Sequence, residues 1–137
     1  MRAREITDAA IEQIKKGVDF MFINYANADM VGHTANKPAV ITAVETVDRE
    51  LKRLFEAVSG AGGALFITAD HGNAETHIDP VTGELHTAHT LNLVPAILTQ
   101  SGGHFADGTL ADVAPTVLAQ IGLPIPKSMT GKNLYTP

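Results

Sequence analysis

An apolar side chain recurs every three or four positions between residues 38 and 58, with charged side chains between them. This spacing predicts a long amphipathic helix that begins near Pro38 and ends at Ser59-Gly60. The nearly continuous apolar runs 18–25 and 63–69 flank it and are typical of strands buried on both faces. A helix between two such strands favours an α/β fold.

Three further elements extend this alternation: a helix over 4–16 that ends at Gly17, a strand over 93–99, and a helix over 109–122 stopped by Gly122 and Pro124. Helices that alternate with strands predict a mostly parallel sheet with helices packed on it. Residues 72–92 form one long loop, and loops of this length are commonly functional. We expect a single domain that covers residues 1–137.

The composition excludes several classes of partner. The chain has 10 Lys and Arg against 15 Asp and Glu, a formal net charge of -5, so nucleic acid is a poor partner. It has no cysteine, which excludes disulfides and thiolate metal ligands and fits a reducing compartment. No apolar run approaches the ~20 residues of a membrane span, so we expect a cytoplasmic protein with no membrane partner.

Side chains that can bind metal collect after the predicted strands and beyond the long loop; they are Asp29, His33, Asp70, His71, His86 and His89. Ligands of open α/β sheets bind outside the carboxyl ends of the strands, so these clusters are expected at one edge. Carboxylate oxygen and neutral imidazole nitrogen suit Zn²⁺, Mn²⁺, Fe²⁺ or Co²⁺. Gly32 and Gly72 lie beside them, where glycine removes side-chain bulk and permits unusual backbone angles.

Simpler roles exist for the same residues. Asp29 could cap the turn that follows it, and an Asp-His dipeptide is commonly a hydrogen-bonded pair in a solvated loop. His77 and His104 belong to no such cluster of candidate ligands, which favours exposed loop positions. His86 lies three residues before His89, and a surface position, a substrate contact and a supporting role all stay open for it.

Four long motifs occur in order along the chain: NYANADMVGHT, TADHGNAE, HTAHTLNLVPAIL and LADVAPTVLAQIGLPIPKSMTGKNL. They closely resemble the C-terminal part of the cofactor-independent phosphoglycerate mutases of the alkaline phosphatase superfamily. The resemblance implies an alkaline-phosphatase-like metal-binding domain. It also implies an isomerase of glycolysis and gluconeogenesis that uses two divalent metal ions, usually manganese. Such an enzyme interconverts 3-phosphoglycerate and 2-phosphoglycerate through a phosphoserine intermediate.

The resemblance also implies roles for five residues. Asp29, His33 and His89 match the three protein ligands of one metal ion, and Asp70 with His71 matches half of the ligands of the second. The choice of His89 rests on the family motif, which requires the His of TAHT and varies at the preceding His. Zn²⁺, Co²⁺ and Fe²⁺ would suit the same ligands as Mn²⁺.

Other parts of the family's active site match nothing in this chain. The aspartate and the nucleophilic serine that complete the second metal site are absent, since Ser59, Ser101 and Ser128 match no nucleophile motif. The inserted domain that holds the substrate is also absent, and Ala35 stands where the family commonly has Gly. The chain resembles about the last quarter of a longer enzyme. We expect either an excised piece or a natural truncated product, with no catalytic residue and no mutase activity of its own.

Two other functions stay open. A phosphopentomutase, phosphodiesterase or sulfatase of the same superfamily would share Asp and His ligands, although the wording of NADMVGHT and MTGKNL disfavours these enzymes. A non-catalytic interaction module is the second alternative, and the presence of all five candidate ligands disfavours it. In either case a sheet cut from a larger sheet would expose a strand edge, which favours self-association.

Overall fold

The computed structural model describes all 137 residues, which divide into two compact units. The first unit contains Met1–Gly63 and His71–Val94, and the second contains Ala64–Asp70 and Pro95–Pro137. The expected single domain over residues 1–137 stays a prediction.

The first unit is built on three helices, α1 (Ala3–Lys15), α2 (Asn27–Gly32) and α3 (Lys37–Gly60). The helices predicted over 4–16 and from Pro38 to Ser59-Gly60 are confirmed as α1 and α3. The start of α3 is fixed by Asn36, whose side chain accepts a hydrogen bond from the Ala39 amide at 3.2 Å. The six residues of α2 are too few for a periodic pattern, so the sequence did not predict that helix.

Both α1 and α2 pack against α3. The buried positions on the two longer helices are Ala3, Thr7 and Ala10 of α1 and Val40, Ala43, Glu50 and Leu54 of α3. The Thr7 hydroxyl donates to the Ala3 carbonyl at 2.9 Å and accepts from the Tyr25 hydroxyl at 2.6 Å. This bond ties the segment before α2 to α1. The apolar face predicted for α3 is only partly buried, since Val44 is exposed.

Residues 18–25 form no strand in the structure, although the sequence predicts one. The segment has no regular secondary structure, and Phe20 and Phe22 are exposed. High β-propensity describes side chains that fit a pleated, half-buried surface, and a strand also requires a partner for its backbone hydrogen bonds.

The second unit contains two small sheets and one helix. Strands β1 (Phe66–Thr68) and β2 (Ala96–Leu98) pair in the first sheet, and β3 (His104–Phe105) and β4 (Tyr135–Thr136) pair in the second. A 3₁₀ turn (Leu110–Asp112) leads into α4 (Val113–Gln120), so the helix predicted over 109–122 is confirmed with a tighter first turn. The strands predicted over 63–69 and 93–99 are confirmed, but each has only three residues.

The parallel pairing predicted from the sequence is not found, because both strand pairs are antiparallel. A parallel pair needs a crossover connection that returns the chain to the same end of the sheet, and this is usually a helix. The chain between β1 and β2 contains no helix, and the two strands pair in opposite directions. The chain therefore combines helices with two small antiparallel sheets. None of its helices has the length and apolar character that crossing a membrane requires.

Candidate metal centre

A carboxylate and three imidazoles converge in the first unit. Asp29 and His33 lie four residues apart on α2 and its C-cap, so both side chains project from the same face. His33 Nε2 lies 3.2 Å from Asp29 Oδ1. His89, which comes from the long loop, places its Nε2 3.2 Å from Asp29 Oδ1 and 3.2 Å from His33 Nε2.

These three atoms have the spacing of ligands around a shared ion. Donor atoms bonded to one Zn²⁺-like ion at about 2.0–2.1 Å in tetrahedral geometry lie roughly 3.3–3.4 Å apart. The three distances of 3.2 Å between Asp29, His33 and His89 are close to these values. Their side chains are 34%, 41% and 48% exposed, so an ion can reach them from solvent. The donor set therefore fits a divalent cation in both chemistry and spacing.

The tautomer of His33 also suits metal binding. Its Nδ1 lies 2.6 Å from the Thr87 carbonyl oxygen. A carbonyl oxygen can only accept, so Nδ1 carries the proton and donates it. In the neutral form of the ring, Nε2 then presents its lone pair to the cluster. A backbone carbonyl that fixes the second ring nitrogen in this way is the usual support of a metal-binding histidine.

His71 joins the same cluster. Its ring stacks on that of His89, with centroids 3.6 Å apart, and its Nε2 lies 4.0 Å from Asp29 Oδ1. The possible ligand atoms of Asp29, His71 and His89 all lie within 4.8 Å of one another. His71 is thus near the three-atom set, but farther from Asp29 than the two other imidazoles are.

Asn73 holds the carboxylate at the centre of the cluster. Its side-chain amide donates to Asp29 Oδ1 at 2.8 Å and approaches the Asp29 carbonyl oxygen at 3.3 Å. Partial burial acts to raise the pKa of Asp29, but the Asn73 hydrogen bond, together with the nearby imidazoles when they are protonated, holds it below its ordinary value. Asp29 is therefore ionised at neutral pH. Asn73 itself is buried, with 5% of its surface exposed.

Glu75 organises the loop that carries His89. Its carboxylate accepts hydrogen bonds from the Thr90 hydroxyl, from the Asn92 amide at 2.9 Å and from the Asn73 backbone amide at 2.7 Å. Partial burial acts to raise the pKa of Glu75, but these donors outweigh it and lower the pKa to about 2. Sequence reasoning missed both Asn73 and Glu75, although they follow directly after the Asp70-His71 motif.

Two glycines make room for this network. A Cβ on Gly32 would lie 2.2 Å from Asn73 Oδ1, and a Cβ on Gly72 would lie 2.2 Å from Thr90 Oγ1 and 2.4 Å from Glu75 Oε1. The expected absence of side-chain bulk at both positions is confirmed. Neither glycine has a positive φ, so the expected unusual backbone angles are not the reason for glycine at these positions.

The remaining candidate residues are Asp70, His77, His86 and His104. Asp70 is an exposed residue at the end of a second-unit segment, and His104 is exposed in β3. His77 and His86 belong to the long loop, where the His86 amide donates to the His77 carbonyl at 3.1 Å. The Nδ1 atom of His86 is buried without a hydrogen-bond partner. Asp29 does not cap a helix, because Ala26 is the N-cap of α2.

Comparison with known proteins identifies the family. A family model described as the metalloenzyme superfamily matches residues 1–125, which is most of the chain. The chain therefore belongs to the metalloenzyme superfamily.

Within this class, the similar proteins are phosphoglycerate mutases. The 2,3-bisphosphoglycerate-independent phosphoglycerate mutase of Ruegeria pomeroyi is 54% identical over 99% of this chain, and that of Rhodopseudomonas palustris is 53% identical over 98%. The chain spans 27% of the length of each. A crystal structure of Leishmania mexicana phosphoglycerate mutase at low cobalt concentration is 33% identical, with a TM-score of 0.85 over 99% of this chain and 28% of the mutase. The chain has the fold of the corresponding part of that mutase.

The substitution Gly32→Ala should destabilise the first unit. The new Cβ would displace the Asn73 side chain and break its bond to Asp29, which we expect to lower the free energy of unfolding by about 1–3 kcal/mol. Gly60→Ala is the matched control, because that glycine is also helical and its Cβ would meet nothing within 4 Å. Gly60→Ala should be neutral or stabilising by up to ~1 kcal/mol. Equal urea-unfolding energies for the two variants would contradict the packing of Asn73 against Gly32.

Glu75 should make the metal-free chain sensitive to acid. Its folded pKa of about 2 lies below the ordinary value of 4.5, so its stabilising effect is complete above pH ~4.5 and is lost as the pH falls towards 2. In EDTA, the stability difference between wild type and Glu75→Gln should therefore shrink over that window. The control is Glu84→Gln, an exposed glutamate of the same loop whose backbone alone forms hydrogen bonds. A difference between wild type and Glu75→Gln that does not change from pH 6 to pH 3 would refute the assignment.

Proposed function

We propose that this chain is the metal-binding part of a cofactor-independent phosphoglycerate mutase, in which Asp29, His33 and His89 bind one divalent cation. The observation that carries the proposal is the mutual spacing of 3.2 Å among one carboxylate oxygen and two imidazole nitrogens. The similar mutases of known sequence support the activity of the longer enzyme. The substrate of that enzyme is proposed to be phosphoglycerate, converted between its 3- and 2-phospho forms in the cytoplasm.

Two ions are proposed in the complete enzyme, and Mn²⁺ is our choice for both. Asp70 and His71 are proposed as the part of the second site that this chain contributes. The mixed oxygen and nitrogen donors, with no thiolate, suit Mn²⁺ as well as Co²⁺, Zn²⁺ and Fe²⁺. The similar Leishmania mexicana phosphoglycerate mutase was crystallised at low cobalt concentration, which supports a divalent transition metal.

The mechanism assigns binding and orientation to the residues of this chain. A bound cation would supply Lewis-acid stabilisation of the negative charge on a transferring phosphoryl group. Asp29 would bring a full negative charge to the site, because its carboxyl is ionised at neutral pH. The Thr87 carbonyl fixes the ring of His33 so that Nε2 faces the site, and His89 would supply the third ligand atom. The attacking hydroxyl group is proposed to come from a serine outside this chain.

We further propose that both units belong to one domain of that enzyme, with a mostly parallel sheet. Residues 18–25 would be a central strand of this sheet, paired with neighbours that other parts of the enzyme supply. The exposed side chains of Phe20 and Phe22 support this proposal, because a solvated strand rarely carries two aromatic side chains without a covering layer. When these neighbours are absent, we propose that the same surface leads copies of the chain to self-associate.

The metal site is tested by titrating the metal-free chain with Mn²⁺ in a calorimeter. We expect His89→Ala to weaken the affinity at least tenfold, because it removes one of three proposed ligands. His77→Ala is the matched control, since it removes a histidine of the same loop that lies outside the cluster, and it should bind as wild type does. Wild-type affinity should be lower at pH 6 than at pH 7.5, because protons compete for imidazole nitrogen. Equal binding by His89→Ala and wild type would remove the site assignment.

The 137-residue chain alone should not interconvert the phosphoglycerates, even with Mn²⁺ present. It lacks a match to the serine nucleophile and to the substrate-holding arginines of the family pattern. Phosphorus NMR of 3-phosphoglycerate incubated with the chain should show no 2-phosphoglycerate. Turnover by the wild-type chain that disappears in His89→Ala prepared from the same host would overturn this expectation.

A further inference from the structure

We propose that Asn73 and Glu75 are positioning residues that set the geometry of the cluster formed by Asp29, His33 and His89. Asn73 holds the ligand that comes from α2, and Glu75 holds the loop segment that carries His89. A hydrogen bond joins these two residues directly, and we call the pair the Asn73–Glu75 link. The inference rests on the metal site proposed above.

Asn73 controls the rotation of the Asp29 carboxylate. Its Nδ2 donates to Asp29 Oδ1, the same oxygen that lies 3.2 Å from both His33 Nε2 and His89 Nε2. The Asn73 amide therefore fixes the one oxygen on which the two imidazoles converge. Its second contact, to the Asp29 carbonyl, ties the amide to the backbone of α2. Gly32 on the next turn leaves the space that the Asn73 side chain occupies.

Glu75 controls the position of His89 through its neighbours in the chain. The carboxylate accepts from the Thr90 hydroxyl, one residue after His89, and from the Asn92 side chain, two residues further on. The Asn92 amide also donates to the Thr76 hydroxyl at 3.1 Å, which adds a second bond between the two segments. The Thr90 backbone amide donates to the Gly72 carbonyl at 2.8 Å. Backbone and side-chain hydrogen bonds therefore fix the same alignment of segment 72–76 with segment 89–92.

The Asn73–Glu75 link is needed because the two parts of the cluster lie in different kinds of segment, a helix and a long loop. Asp29 and His33 are held by a helix, whereas His89 lies in a long loop with only two isolated backbone bridges. A loop ligand that is free to move must be ordered when the ion binds, and that ordering lowers the affinity. The Asn73 backbone amide donates to Glu75 Oε2 at 2.7 Å. The short segment 73–75 therefore holds both the Asp29 side and the His89 side of the cluster.

The first experiment measures Mn²⁺ affinity of the 137-residue chain by calorimetry. Asn73→Ala and Glu75→Gln should each weaken it by about tenfold or more, the usual effect of removing a group that orients a metal ligand. Glu84→Gln, the exposed glutamate of the same loop, should bind as wild type does. Affinities of Asn73→Ala and Glu75→Gln within twofold of wild type would overturn the proposal.

A second pair of variants separates positioning from general loss of folding. Thr90→Val removes the hydroxyl that donates to Glu75 and accepts from the Asn92 backbone amide, and Thr90→Ser keeps it. We expect Thr90→Val to weaken Mn²⁺ binding and Thr90→Ser to bind Mn²⁺ as wild type does, while both variants keep the wild-type circular dichroism spectrum. If Glu75→Gln does not fold, this pair decides the question. Equal affinities for Thr90→Val and Thr90→Ser would refute the role of Glu75.

A metal-free measurement distinguishes failure of this inference from failure of the proposed function. Proton NMR in EDTA should show nuclear Overhauser effects between the His33 and His89 rings, whose centroids lie 5.0 Å apart. Glu75→Gln should weaken them. A wild-type chain that shows these effects but takes up no Mn²⁺ would refute the metal site and leave the positioning role supported. Effects that persist unchanged in Glu75→Gln would overturn the positioning role.

Discussion

The convergence of two imidazole nitrogens on a single oxygen of Asp29 is the constraint on which the first unit depends. Carboxylate oxygen and the lone pair of neutral imidazole repel one another at 3.2 Å unless a proton or a cation lies between them. The Thr87 carbonyl accepts from Nδ1 of His33, so in the neutral ring the proton lies away from this contact. A bound cation relieves this repulsion, as does a proton on each facing imidazole nitrogen, and protons and metal therefore compete for the same atoms. This electrostatic requirement is the physical basis of the proposed function.

The rest of the first unit keeps these groups in place by different means. α2 sets Asp29 and His33 four residues apart, and its packing on α3 anchors the helix. The loop has no helix or strand, so polar side chains take the place of backbone ladders. The Glu75 carboxylate alone gathers donors from three other residues. Gly32 and Gly72 leave room for these hydrogen bonds, because any larger residue would occupy the space of the side chains that form them.

Helices α1, α3 and α4 could be predicted because their patterns are long and bounded by proline or glycine. The short helix α2 and the two-residue strands carry too few residues for a pattern. The direction of strand pairing could not be read from apolar runs, since the same run fits either direction. For the site, the sequence singled out Asp29, His33, His71 and His89, which the structure brings together. Asn73 and Glu75 escaped notice because amide and carboxylate side chains in loops are common, and only their contacts distinguish these two.

The central claim is that one ion lies among Asp29, His33 and His89. Crystals of the 137-residue chain grown with Mn²⁺ and measured at the manganese absorption edge would test it most directly. The account predicts an anomalous peak within roughly 2.0–2.2 Å of Asp29 Oδ1 and of the Nε2 atoms of both histidines. A map from a fully soaked crystal with no peak at these atoms, or with its only peak at other residues, would contradict it.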